Sequence, residues 1–161
     1  MSNGHSSPPP GYELIFGSAS GFNQLTGPFY MRIENELAIV AFRIEPKHLN
    51  PAGGCHGAAL AALADNLGAP LKRMMDLDDV NITPTINLAI DYMAPAKAGD
   101  WVELHARLLR RTRTLFFCQG LMYADGNMIA RTNATYMITS KRIAGFDIDG
   151  LNSTSPADLH D

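Results

Sequence analysis

The run His48-Leu49-Asn50-Pro51-Ala52-Gly53-Gly54-Cys55-His56-Gly57-Ala58-Ala59-Leu60-Ala61-Ala62-Leu63-Ala64-Asp65 decides the fold. Its first half is loop chemistry, because Pro51 and the pair Gly53-Gly54 break both regular structures. Its second half begins a helix that is predicted to run from Gly57 to about Met75. From Ala58 to Ala64 that helix is apolar on every side, a pattern that belongs to a buried helix and not to a surface one. Small alanines let a curved sheet close tightly around it. Gly68 and Pro70 predict a kink or an early end.

Strand patterns lie on both sides of this helix. Before it, Phe29 to Ile33 and Leu37 to Ile44 form a hairpin across Glu34-Asn35-Glu36. After it, Thr85 to Met93, Trp101 to Leu109, Leu115 to Tyr123 and Met128 to Ile138 alternate as strands do. Residues 94–100 and Asp125-Gly126-Asn127 supply turns. Two strands, one helix and four strands predict an α+β domain, an antiparallel sheet wrapped around one long central helix. Residues 1–11 are rich in Ser, Pro and Gly and read as a flexible tail. Residues 12–146 read as the domain and 147–161 as a polar C-terminal tail.

Composition bounds the function. A chain of 161 residues with 46% hydrophobic and 18% charged residues is globular. A net charge of −3 gives no support to nucleic-acid binding. No apolar run approaches the ~20 residues of a membrane span, and the polar, proline-rich start lacks a signal-peptide core. A cytoplasmic protein without nucleic-acid or membrane partners is expected. Cys55 and Cys118 suit a reducing compartment and make no disulfide framework.

Candidate chemistry gathers on the central helix. Asp65 closes the apolar run, and a carboxylate there costs free energy unless it is paired, hydrogen-bonded or useful. It either turns to solvent near the helix end, with Asn66 beside it, or serves a reaction. His56-Gly57 begins the helix, where unpaired N–H groups suit an anion or a developing oxyanion. Gly57 has no side chain to keep a carbonyl away. The neighbours Cys55 and His56 are disfavoured as a nucleophilic dyad, since adjacent side chains seldom face each other. His48, Cys55, His56 and His105 lack the spacing of a metal site, so no metal is expected. Arg107, Arg110, Arg111, Arg113 and Lys97 make one region basic, either as a solvated turn or for a ligand with several phosphates.

These residues resemble a family. The stretch from His48 to Asp65 is similar to the signature of hotdog-fold acyl-CoA thioesterases of the phenylacetate-degradation type. Thr85-Ile86-Asn87-Leu88-Ala89-Ile90-Asp91-Tyr92-Met93-Ala94-Pro95-Ala96 resembles the strand and Pro-containing turn that follow in that family. The likeness covers about Phe22 to Ser140 and departs at Ala58, where a second glycine is commoner. By resemblance, Asp65 would be the nucleophile or the base that activates water. Gly57, helped by His56, would supply the oxyanion hole. Asn50 would orient the attacking group or the thioester, and Thr85 would position the water. Arg110, Arg111 and Arg113 would then meet the phosphates of coenzyme A. The resemblance implies no cofactor beyond coenzyme A as part of the substrate.

Helix geometry adds an oligomer. Gly57 and Asp65 lie eight positions apart, or ~12 Å along a helix, whereas attacking group and oxyanion donor must each lie ~3 Å from one carbonyl group. Two antiparallel helices about a twofold axis would bring Asp65 of one subunit to Gly57 of the other. A homodimer, or a dimer of dimers, is therefore expected. Two other readings stay open: a hotdog-fold hydratase or dehydratase using His56 and Asp65, and a non-catalytic acyl-CoA binding protein.

Overall fold

A computed structural model describes residues 7–15, 21–77 and 82–140. In chain order the elements are β1 (Glu13–Leu14), α1 (Gly21–Thr26), β2 (Tyr30–Glu34), β3 (Leu37–Arg43), α2 (Gly57–Asp65), α3 (Gly68–Met74), β4 (Thr85–Tyr92), β5 (Trp101–Arg111), β6 (Leu115–Ala124) and β7 (Asn127–Met137). The strands form one antiparallel sheet in the order β1-β2-β3-β5-β6-β7-β4. The expected architecture is the observed one, with α2 and α3 packed in the curve of the sheet.

Local chemistry explains the turns. Asn35 and Glu36 adopt φ of 50° and 61°, and Asp125 and Gly126 adopt 44° and 84°. Two successive positive φ values give the tight turn whose twist matches antiparallel strands. The second turn has Asp-Gly, which accepts this conformation readily; the first holds Glu36 there at some strain.

The helix is long but broken, as Gly68 and Pro70 predict. α2 stops at Asp65 and α3 restarts at Gly68. Pro70 is the third residue of α3, where a missing N–H leaves no helical bond unmade. The Asn66 side chain donates to the Ala62 carbonyl at 2.8 Å and accepts from Asn23 at 3.1 Å, so it serves the break and not Asp65.

The core fills the space between helix and sheet. Ala59, Leu60, Ala62, Leu63, Ala64, Leu67 and Leu71 are buried against the inward residues of β3, β5, β6 and β7, among them Phe42, Leu104, Phe116, Met122 and Tyr136. Period-two burial along β6 is the alternation read from its sequence. Gly120 is required where a Cβ would meet the side chain of Leu104 at 2.7 Å and the His105 carbonyl at 2.8 Å. Tyr136 stacks on Phe116 and donates to the Ala64 carbonyl at 3.1 Å, fixing the end of α2 to β7. That tie sets the height of Asp65 above the sheet.

Two elements were not expected. β1 pairs with β2, and the Tyr12 hydroxyl donates to Glu103, which also meets His105 and Trp101. α1 is a six-residue helix that buries none of its residues. The expected C-terminal tail, 147–161, lies outside the described residues.

Candidate active site

α2 and β4 run in opposite directions, and each end of the helix is bonded to an end of the strand. At one end the Thr85 hydroxyl donates to an Asp65 carboxylate oxygen at 2.6 Å. At the other the Tyr92 hydroxyl donates to the Gly57 carbonyl at 2.8 Å. Of the residues singled out in the sequence, these bonds join Asp65 to Thr85, while His56 and Gly57 are chain neighbours at the other end of the helix. They leave the two pairs a helix length apart within one chain.

Asp65 is the last residue of α2 and is exposed. A carboxylate there faces the negative end of the helix dipole, where it costs a few tenths of a kcal/mol or more. Among the described residues its side chain meets one donor, Thr85. A negative charge in an unfavourable place, aimed by a single hydroxyl, has no evident structural purpose.

The start of α2 shows which N–H group is left for a ligand. His56 is the N-cap, and its Nδ1 accepts from the Ala58 N–H at 3.0 Å. That bond puts the proton of the neutral ring on Nε2. The Ala59 N–H reaches the His56 carbonyl at 2.9 Å. Gly57 is the first helical residue and has no carbonyl behind it within the helix. Among the described residues its N–H has no acceptor. A Cβ on Gly57 would sit 3.2 Å from the Tyr92 ring, so the bare Cα lets Tyr92 close over the helix start. Tyr92 carried no role in the sequence reading. An aromatic residue at a strand end before a proline turn is too common to signal this contact.

Asn50 is part of the frame. Its side-chain oxygen accepts from the N–H groups of Ala52 at 2.9 Å and Gly54 at 3.2 Å, closing the loop over Gly53, whose φ is 85°. The Cys55 N–H reaches the Ala96 carbonyl, and the His56 N–H reaches the His48 carbonyl, each at 2.7 Å. These bonds hold the loop between β3 and the β4–β5 turn, and so fix where α2 begins. Burial, helped by Asp100, pushes the Cys55 thiol up to about 11, which leaves no thiolate for a dyad near neutral pH. His48 is buried, with Nδ1 accepting from the Glu45 N–H and Nε2 donating to the Thr26 carbonyl, both at 2.9 Å. Burial holds its pKa below the usual value. Among the described residues no group of three or more His, Cys, Asp or Glu is placed to hold a metal.

The arginines are separated by their contacts. The Arg111 guanidinium donates to the Met75 carbonyl at 2.9 Å, closing the end of α3. Arg110 and Arg113 are exposed beside it, after a bulge at Leu109. Register runs Thr85 to Tyr136 to Phe116 to Arg111 across the sheet. Three strand spacings put this basic end ~14 Å from Thr85, on the Asp65 side of the molecule.

A seven-stranded antiparallel sheet curved around a central helix defines the hotdog fold, and solved structures agree. The phenylacetic acid degradation protein of Thermus thermophilus, in a mutant form, matches with a TM-score of 0.62 and 24% identity, covering 73% of this chain and 98% of that one. A thioesterase superfamily member from Mus musculus matches with the same TM-score and identity, covering 74% and 88%. In sequence, acyl-coenzyme A thioesterase 13 of Homo sapiens is 30% identical over 99 residues, which span 60% of this chain and 69% of that protein. A Pseudomonas aeruginosa protein named provisionally as an esterase is 29% identical over 129 residues, covering 80% of this chain and 95% of that protein. The model of the thioesterase superfamily matches residues 52–130, the span from the loop through β7's start. The chain belongs to the thioesterase superfamily.

Proposed function

We propose that this protein hydrolyses acyl-CoA thioesters at two equivalent sites shared between the subunits of a dimer. The observation that carries the reading is the pair of opposite ends on α2: at Gly57 an N–H with no acceptor among the described residues, and at Asp65 a carboxylate aimed by Thr85. The Gly57 N–H receives the thioester carbonyl oxygen and holds the negative charge that grows on it. Asp65 takes a proton from the water that attacks the carbonyl carbon, or attacks that carbon itself to form a mixed anhydride that water then cleaves; by either route the coenzyme A thiolate departs and the free acid is released. Thr85 keeps the carboxylate pointed, and Asn50 acts by shaping the loop that starts the helix.

Within one chain the two groups stand ~12 Å apart along a continuous helix, so a second copy must supply one of them. β4 is suited to bring it. It is a sheet edge of eight residues with Ile86 53% and Tyr92 53% exposed, continued by an equally exposed Met93. A long edge with exposed apolar side chains is a template for another strand. Pairing with its own copy about a twofold axis sets two α2 helices antiparallel. Coenzyme A phosphates then meet Arg110 and Arg113, while Arg111 stays with α3. A solved Streptococcus pneumoniae thioesterase of this fold is described with coenzyme A, in keeping with this ligand class. No helix among the described residues is long and apolar enough to cross a membrane, and a cytoplasmic setting suits the substrate.

The test is thiol release from acyl-CoA esters of acetyl, aromatic and medium-chain type. Saturable release from at least one supports the proposal, and no release from any of them overturns it.

A further inference from the structure

Beside the first turn of α2 lies a cleft of about 320 Å³, lined in part by Phe22, Leu25, Leu49, His56, Ala58 and Ala59. Its outer wall is α1, whose Phe22 and Leu25 are 66% and 72% exposed. A helix that buries no residue is not held by the core. Polar ties hold it instead. The Thr26 carbonyl accepts from His48 Nε2 at 2.9 Å, the Gly27 carbonyl accepts from Lys47 at 2.5 Å, and Asn23 donates to Asn66 at 3.1 Å. α1 is thus fixed beside α2 with two large apolar side chains turned to the cleft and water.

Three of the four histidine ring nitrogens beneath are already engaged. Both His48 ring nitrogens are bonded within the chain, and His56 Nδ1 is bonded to Ala58. What the cleft offers a guest is mostly carbon surface. His56 and Ala58, which flank the oxyanion donor Gly57, both line it.

We infer that this cleft receives the acyl tail of the thioester, and that Phe22 and Leu25 set which tails fit. The inference rests on the thioesterase reading for the placement of the carbonyl on Gly57. A tail leaving that carbonyl along the Ala58–Ala59 side of α2 covers Phe22 and Leu25 and removes their apolar surface from water. The volume lies near the lower end of ligand pockets, about 300–1,000 Å³. A single aromatic ring or a medium straight chain suits it; a fused polycyclic acyl group does not.

Non-hydrolysable S-alkyl thioethers of coenzyme A test the tail site apart from catalysis. Calorimetric affinity for methyl, butyl and octyl ethers should rise with tail length, by at most about fourfold for each buried methylene. Leu25→Trp should weaken the octyl ether at least ~10-fold while the methyl ether stays within about twofold, and Phe22→Ala should also reduce the gain from tail length. Equal affinity for methyl and octyl ethers in the parent protein overturns the inference. So does an unchanged octyl preference in both variants, or equal weakening of all ethers. Tail-dependent binding without turnover of any acyl-CoA would instead remove the hydrolase reading and leave the tail site standing.

Discussion

Gly57→Ala probes the start of α2 with one methyl group. The new Cβ would lie 3.2 Å from Tyr92 Cζ and 3.4 Å from its hydroxyl. Carbon atoms in good contact stay about 3.5–4.0 Å apart, so the ring or the helix start must yield by about 0.3–0.8 Å. For folding the terms oppose one another. Alanine is favoured over glycine in helices by up to ~1 kcal/mol, and overpacking costs about 1–3 kcal/mol. Tyr92 is half-exposed and can retreat, so the net change should stay within about 2 kcal/mol. For catalysis the terms do not oppose. A misplacement near 1 Å costs about 100-fold, and loss of an oxyanion donor costs about 100- to 1,000-fold. The variant should melt within a few degrees of the parent yet release thiol about 10- to 100-fold more slowly. Adding Tyr92→Ala removes the clash and should bring the rate back toward that of Tyr92→Ala alone. Turnover within twofold of the parent in Gly57→Ala refutes the assignment of this N–H.

Three further outcomes follow from the same geometry. Arg110→Ala and Arg113→Ala should raise KM several-fold with kcat nearly unchanged, because they act on the remote phosphates of the substrate; Arg111→Ala, which uncaps α3, should instead lower thermal stability. The folded His48 resists a proton that the unfolded chain accepts near pH 6.5, so stability is full above that pH and falls as the pH drops below it. Melting followed from about pH 7 to about pH 5 should show this slope, and His48→Gln should be less stable at neutral pH with a flatter profile. Light scattering should find a dimer or tetramer, and Ile86→Asp on the exposed β4 edge should shift it toward inactive monomer; an active monomer sinks the shared site.

Much of the fold was legible because helix and strand periods differ so plainly here. The all-round apolar run to Ala64 announced a buried helix, and Pro70 announced its break. β5 to β7 showed their alternation, and Asp125-Gly126 its turn. β1 and α1 were not legible for a physical reason. Two residues cannot show a period, and α1 buries no side chain, so neither left an apolar pattern. Nor did the sequence place β4 beside β7, since that edge position is a matter of tertiary packing. In the site, Asp65, Thr85, His56 and Gly57 were singled out; Asp65 and Thr85 are hydrogen-bonded at one end of α2, and His56 and Gly57 begin it at the other. Asn50 was expected to orient reacting groups; its side-chain oxygen closes the loop, a role the sequence did not announce. Tyr92 escaped because its contact with Gly57 joins residues 35 positions apart.

The most direct measurement is the turnover of Asp65→Asn. An amide keeps the shape of the side chain and can still meet the Thr85 hydroxyl, but it can neither attack a carbonyl nor take a proton from water. Asp65 is exposed at the helix end, so the variant should fold, form the same oligomer and bind coenzyme A thioethers as the parent does. Thiol release from the best acyl-CoA should then fall at least ~100-fold. Release near the parent rate, in a variant with unchanged melting and assembly, would contradict the account by removing the carboxylate from the reaction.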